Sequence, residues 1–450
     1  MLTLPNRRAL LSRTGARLVF DLRGATALPA ILTLSRAGNA MLYDSTGKLT
    51  YAPNNLYINS GNGSNTARTI TTQAGVNYYI WVQTSTGTAT VVASGTNTST
   101  FNGSTSGTFT AFTATSGTLT LTPTSNFANI TQVVVAAITY ETALRSADNV
   151  VTGAAAFYGP RFWYDPATLA PWGLLFEPSS STNLAQQWNA FTTSPWATPT
   201  ADTVRTANAR LSPDGTTNAW KISESNTTSS YGVYQPVSLA AGTYTIGLFV
   251  EAGERNFISL RANNGGTGGS WVAAVWNVST GALVQTKTSG GWTYVGSDIV
   301  PVGGGRYLVI LTLTSTASIG QIAANIYASN PTLNTGAGTY GDAAYAGASG
   351  NGAYVYGYQI VSGSLLGSPI PTAAATVTRA AETANAADYS TQPAIIQYRN
   401  VSDRTRARKA LASFSSISSE GNIWIEQIAI YAPGTQSSVY NQFLTVDGPF

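Results

Sequence analysis

The chain has 450 residues and contains neither cysteine nor histidine. Without cysteine there is no disulfide, no thiolate nucleophile, no Cys-based zinc site and no iron–sulfur cluster. Without histidine there is no Ser-His-Asp triad, no imidazole metal ligand and no imidazole general base. Charge is scarce as well: Asp, Glu, Lys and Arg make up 9% of the residues, against about 25% in ordinary domains. The net charge of +4 therefore implies no dense basic face across the chain. No apolar run reaches the roughly 18 residues of a membrane-spanning helix, so membrane insertion is not expected. The opening, Met1-Leu2-Thr3-Leu4-Pro5-Asn6-Arg7-Arg8-Ala9, lacks the basic-then-apolar order of a signal peptide.

Buriable mass is plentiful. Hydrophobic residues reach 43% and aromatic residues 10%, which argues against disorder. The polar surface must come from Ser, Thr, Asn and Gly, the composition of β-rich extracellular or virion proteins. Tyr78, Ile80 and Val82 alternate with Tyr79, Trp81 and Gln83. Tyr244, Ile246, Leu248 and Val250 alternate with Thr245, Gly247 and Phe249, and Tyr307 to Leu313 repeats the pattern. Such alternation predicts half-buried strands. Asp44-Ser45-Thr46-Gly47 and Asn277-Val278-Ser279-Thr280-Gly281-Ala282 predict hairpins. The expected fold is all-β: tandem antiparallel jelly-roll β-sandwiches with short N- and C-terminal attachment segments.

Five segments are expected: 1–56, an N-terminal attachment segment and hairpin; 57–145, a small sandwich; 146–183, a connector; 184–372, a large jelly roll; and 373–450, a strand-containing C-terminal segment. The first carries Arg7, Arg8, Arg13, Arg17 and Arg23 around a strand at Arg17-Leu18-Val19-Phe20-Asp21. It reads as a solvated arm or an anchor for an acidic partner. The connector has too much aromatic area, from Phe157 to Phe176, to be a solvated linker, and should pack on a neighbouring domain or subunit. The two sandwiches echo each other. Asn55-Leu56 matches Asn183-Leu184, residues 72–82 match 239–250, and Val133 to Tyr140 matches Ala353 to Ile360, which predicts a duplicated module with an abbreviated first copy. Ile423 to Tyr431 reads as a terminal strand that completes a sheet elsewhere or in another subunit. The cluster Arg399, Arg404, Arg406, Arg408 and Lys409 lacks interleaved aromatics beyond Tyr398. A solvated or salt-bridged face is expected there, and no nucleic acid.

Two passages resemble bacteriophage tail and head-fibre proteins. One is Arg36-Ala37-Gly38-Asn39-Ala40 with Tyr43-Asp44-Ser45-Thr46-Gly47-Lys48-Leu49. The other runs Pro160-Arg161-Phe162-Trp163-Tyr164-Asp165-Pro166, Gly173-Leu174-Leu175-Phe176-Glu177-Pro178 and Thr182-Asn183-Leu184. In that family the passages run together; here the small sandwich is inserted between them. Pro213-Asp214-Gly215-Thr216-Thr217, Glu251-Ala252-Gly253-Glu254-Arg255 and Gly304-Gly305-Arg306-Tyr307 look like the family's carbohydrate-binding-module-like jelly roll. Gln427-Ile428-Ala429-Ile430-Tyr431 resembles the closing strand of a lectin-like domain, heavily shortened here. The resemblance implies a virion protein made in the bacterial cytoplasm. Its implied partners are other virion proteins, copies of itself in a homo-trimer, and host surface polysaccharide.

Glycan binding needs an aromatic platform and planar polar groups. The large sandwich supplies Tyr231, Tyr234, Trp271, Trp276, Trp292, Tyr294 and Tyr327, with Arg255, Arg261, Asn263, Gln321 and Asn325. At least half of the rings should be core. The candidate open site comprises Arg261, Asn263, Trp271, Trp276, Asn325 and Tyr327, with the glycine-rich stretch Asn263 to Ser270 as one rim. Glu251 and Glu254 lie at a strand-to-strand turn and are not read as a glycosidase pair. No catalytic residue and no cofactor is assigned. A structural calcium ion is compatible with this kind of sandwich, with Asp202, Glu224 and Asp342 as candidate ligands.

Overall fold

The computed structural model describes residues 16–61, 63–139, 145–265, 269–333 and 343–431. The larger sandwich faces a six-stranded sheet against a five-stranded one. The six run in the order Val204–Leu211, Thr217–Ser223, Gly352–Ser362, Gly242–Glu251, Arg306–Ser315, Thr293–Pro301. The five run Tyr231–Leu239, Ile319–Tyr327, Phe257–Asn263, Trp271–Asn277, Ala282–Ser289. Neighbours pair antiparallel, and the alternation read in the sequence is the cause of the layering. Ile246, Leu248, Leu311, Leu313 and Ile360 meet Ile258, Leu260 and Ile322 in the core. A slip of one residue would turn Thr245, Gly247 and Phe249 inward instead, forfeiting about 1.5–3 kcal/mol for each large aliphatic exposed.

The smaller sandwich pairs a three-stranded sheet, Thr108–Thr113, Asn77–Thr84, Ile130–Ile138, with a four-stranded one, Arg68–Thr71, Thr118–Ser125, Ala89–Gly95, Thr100–Gly103. The all-β architecture expected from the sequence is the one observed.

The duplication is visible in hydrogen bonds. Asn55, fully buried, donates from Nδ2 to the carbonyls of Val133 (3.4 Å) and Val150 (2.9 Å). Its Oδ1 accepts from the amides of Tyr57 (3.1 Å) and Val135 (3.2 Å). Asn183, equally buried, donates to the carbonyls of Tyr358 (3.3 Å) and Ile370 (2.9 Å) and accepts from the amides of Ala185 (3.1 Å) and Ile360 (3.1 Å). The next residues, Leu56 and Leu184, bond to the carbonyls of Val135 (2.7 Å) and Ile360 (2.8 Å). Each asparagine thus clamps the module's first turn to its closing strand. The clamp corrects the expected alignment: Val133 and Val135 correspond to Tyr358 and Ile360, five residues later than the match of Val133 with Ala353. Run-on apolar strands have no internal marker of register, whereas the clamp does.

A third sheet gathers distant pieces: Arg161–Tyr164, Pro171–Phe176, Ile423–Tyr431, Ala394–Asn400 and Arg406–Leu411, with Ala16–Asp21 on the free half of the Ile423–Tyr431 edge. The connector therefore supplies two strands, and the terminal strand completes a sheet within its own chain. Leu22, Phe176, Ile396, Phe414, Ile417, Ile425 and Ile428 form its core. Arg7, Arg8 and Arg13 lie outside the described residues. The basic cluster is salt-bridged: Arg399 and Arg406 reach Glu426 at 2.9 and 2.8 Å, Lys409 reaches Glu420 at 2.7 Å, and Arg404 reaches Asp298 at 2.8 Å.

Candidate functional site

The strand register brings five of the six predicted site residues to one surface. Arg261 and Asn263, Trp271, and Asn325 and Tyr327 sit on three adjacent strands, with Asn263 opposite Trp271 and Phe257 opposite Tyr327. All five project from the outer face of the five-stranded sheet. Asn263 Nδ2 donates to Gln321 Oε1 at 2.8 Å, and Ser259 Oγ and Tyr327 Oη lie 3.1 Å apart. The sixth, Trp276, faces the opposite way, into the sandwich core beside Ile258 and Leu260. Tyr231 and Trp292 are core as well.

The expected open platform is closed. Trp271 and Asn263 are 0% exposed, Asn325 1%, Tyr327 2% and Arg261 3%. Leu333, Ala343 and Tyr345 pack over Trp271 and Tyr327. The chain after Tyr327 is tied to the outermost strand, where Gln285 Nε2 donates to Asn330 Oδ1 at 2.7 Å and Lys287 Nζ to the Leu333 carbonyl at 2.6 Å. On the return, Tyr345 stacks edge-on against Tyr231 and donates its hydroxyl to Glu224 at 2.5 Å. The sequence offered the rings and amides but no sign of the segment that covers them. Gly266, Thr267 and Gly268 of the expected rim lie outside the described residues.

Of the expected calcium ligands, Asp202 accepts a hydrogen bond from Ser225 Oγ at 3.3 Å. Burial would raise the Glu224 pKa, but the Arg255 guanidinium, the Tyr345 hydroxyl and the Ala348 amide all donate to its carboxylate and hold it below the usual range. Asp342 lies outside the described residues. Among the described residues no group of three or more carboxylates could hold a metal ion. Glu251 and Glu254 are paired with Arg210 (2.8 Å) and Lys221 (2.9 Å).

The motifs shared by the two fibre-like passages converge on a buried ionic cluster. Arg161 donates to Glu177 at 2.6 Å and to both oxygens of Glu382 at 3.0 and 2.7 Å, and Arg36 donates to Glu382 at 2.5 Å. Arg379 Nε stands 3.2 Å from Glu177, which also accepts from the Ser368 hydroxyl at 2.6 Å. Burial would raise the Glu177 pKa, but Arg161 and Arg379 outweigh it and hold the carboxyl down at about 2. Burial pulls Arg36 down to about 10. With every charge hydrogen-bonded and the carboxylates enclosed, this cluster is a fastening between segments.

Beside it lies a cleft that sequence reading did not assemble. Its floor is the outer face of the six-stranded sheet, where Thr245, Phe249, Leu308, Ile310 and Thr312 project. Its roof is the third sheet, which contributes Trp163, Trp172 and Trp424. The enclosed volume is about 360 Å³. Gly247 leaves room on the floor for Leu366; a Cβ there would fall 2.4 Å from Leu366 Cδ2. Trp172 and Trp424 meet edge-on at 4.5 Å, Trp163 lies 5.8 Å from Trp424, and Tyr43 stands edge-on to Trp163 at 5.3 Å. At the rim are Val295, 50% exposed, and the Asp298–Arg404 ion pair. The signal available in the sequence was the density of aromatics in the connector; Tyr43 and Trp424 come from regions far away in the chain.

No family model matches the chain, and no curated protein matches it. Among solved structures, it is similar to the tandem CBM22 domains of Paenibacillus barcinonensis Xyn10C, at 10% identity and a TM-score of 0.25, over 77% of this chain and 97% of that one. It is also similar to the structure of infectious bursal disease virus Gx strain, at 12% identity and a TM-score of 0.15, over 97% of this chain and 93% of that one. Neither superposition is close enough to transfer a function.

Proposed function

We propose that this protein is a non-enzymatic structural component of a phage or phage-like particle that contacts host surface polysaccharide. The observation that carries the reading is the cleft between the six-stranded sheet and the third sheet. It has the size of a small-ligand site, aromatic walls and a few polar groups at its rim. Beside it a buried ionic cluster knits the connector to the N- and C-terminal segments, a build suited to carrying load. Glu251 and Glu254, not read as a hydrolytic pair in the sequence, are engaged with Arg210 and Lys221, which favours binding over cleavage. Several copies on one particle, as in a symmetric homo-trimer, would convert weak single-site binding into avid adsorption.

The test is binding of the purified chain to host cells and to their extracted polysaccharide, with an assay for new reducing ends. Saturable binding without new ends supports the reading, and new ends replace it with a depolymerase. A second reading, a particle component that binds no ligand, is favoured by the closure of the Trp271 face. Absence of binding by the assembled oligomer would select it.

A further inference from the structure

A second space opens where the smaller sandwich meets the larger one. It has two adjoining lobes of about 410 and about 210 Å³, joined along Tyr51, Gln73, Val76 and Pro371, which line both. The turn Gln73 to Val76 of the smaller sandwich forms one wall, and Pro371 to Ala373, on the chain that leaves the larger sandwich, forms another. Gln73 ties the two walls, its Nε2 donating to the Pro371 carbonyl at 3.1 Å. Tyr51 comes from the N-terminal hairpin, Tyr78 from the smaller sandwich and Tyr158 from the connector. The Tyr78 hydroxyl accepts from the Gln73 amide at 2.9 Å and interacts electrostatically with both other tyrosines. Three hydroxyls from three segments thus meet at one place.

The groove differs from the junction cleft in what its polar atoms can reach. In the junction cleft the Trp163 and Trp424 indole nitrogens and the Tyr43 hydroxyl are sealed into the wall. In the groove, among the described residues, the Tyr51 and Tyr158 hydroxyls, Gln73 Oε1 and Asn39 Nδ2 have no protein partner, and none of the four is sealed from solvent. The charged lining residues among those described are Asp214 and Arg379, and both are buried. Asp214 accepts from Ser212, Thr216, Asn218 and Tyr356, and Arg379 is engaged with Glu177. A ligand for this groove must therefore be uncharged, must both donate to and accept from hydroxyl and amide groups, and must lay an apolar edge on tyrosine rings. We infer that the groove is a binding site for an uncharged polysaccharide chain, whose hydroxyls bond to Tyr51, Tyr158, Gln73 and Asn39. The larger lobe alone has the volume of a small-ligand site. The inference rests on the polysaccharide-binding reading above and adds a second site and the charge class of the glycan.

The experiment is titration calorimetry of the full chain with the extracted polysaccharide and with its mild-acid fragments, split by anion exchange into uncharged and acidic fractions. The uncharged fragments are expected to bind, with affinity unchanged within about twofold between about 0.05 and about 0.5 M salt, because no ion pair forms. Tyr51→Phe and Tyr158→Phe each delete a hydroxyl that no protein group uses, so the melting temperature holds, and each is expected to weaken binding about three- to tenfold. Ala37→Trp fills the larger lobe from an exposed position that spares the fold, and it is expected to abolish fragment binding. Val295→Trp, at the rim of the junction cleft, reports on that cleft alone. Binding confined to the acidic fraction, or indifferent to Ala37→Trp and to both tyrosine variants, overturns the inference. If binding indifferent to the groove is lost in Val295→Trp, the glycan site is the junction cleft and the polysaccharide reading stands. If neither the polysaccharide nor its fragments bind, both fall.

Discussion

The two sandwiches carry the same asparagine clamp and the same three central strands, yet they present different outer surfaces. In the smaller copy, the sheet of Asn77–Thr84 is three strands wide, and its outer face is a patch of Tyr79, Trp81, Val134, Ala136 and Ile138. The Tyr79 hydroxyl is spent on Asp148 at 2.9 Å. In the larger copy the equivalent sheet gains Thr293–Pro301 on one side and Thr217–Ser223 with Val204–Leu211 on the other. The added strand Thr293–Pro301 widens the floor enough for the third sheet to lean over it and leave a cleft. The clamp is what makes either module a module; the flanking strands decide whether its outer face becomes a wall or a site.

The largest expected effect comes from cutting the fastening that ties the connector to the N- and C-terminal segments. Glu177→Ala leaves buried Arg379 without its carboxylate partner and removes one of the two carboxylates that Arg161 engages, and should cost about 3–5 kcal/mol. By calorimetry the intact chain, whose sandwiches share packing with the connector, should melt in one transition and the variant in two. Next, Trp271→Ala should cost about 3–5 kcal/mol through the cavity it leaves. It should lower the melting temperature of the larger sandwich and leave polysaccharide binding unchanged, because its face is closed. The clamps should follow, at about 2–4 kcal/mol each: Asn183→Ala in the larger copy and Asn55→Ala in the smaller, read by hydrogen exchange in the respective closing strands. Equal loss of protection in both copies from either variant would dissolve the distinction between them.

The smallest effect is the response to acid. Glu177 is depressed from 4.5 to about 2 in the folded chain. Its contribution is therefore fully present above about pH 4.5 and lost as the pH falls towards 2. Replacing it with Gln should flatten that part of the pH–stability curve.

Much of the fold was legible because strand alternation is a local property. Tyr244 to Val250 declared which side faces the core, and Asp44 to Gly47 declared a hairpin closed by Asp44 Oδ1 on the Thr46 and Lys48 amides, at 2.8 and 3.0 Å. The duplication was legible from Asn55-Leu56 and Asn183-Leu184, although its register in the closing strands was not. The site was less legible. Arg261, Asn263, Trp271, Asn325 and Tyr327 do share a face, but period-2 patterning cannot say whether a later segment lies across it. Trp276 was assigned to the wrong side, because its strand, Trp271–Asn277, is apolar on both faces and carries no alternation to read.

By itself, the sequence determined that this chain is built of β-sandwiches, that disulfide, thiolate and imidazole chemistry are absent, and that a module is repeated. These follow from composition and short-range pattern. Only the tertiary structure decided which aromatics are covered and which line space. Burial is set by segments that meet across hundreds of residues, as Tyr43, Trp163 and Trp424 do at the cleft and Arg36, Glu177 and Glu382 do at the fastening. No local pattern in the chain encodes those encounters.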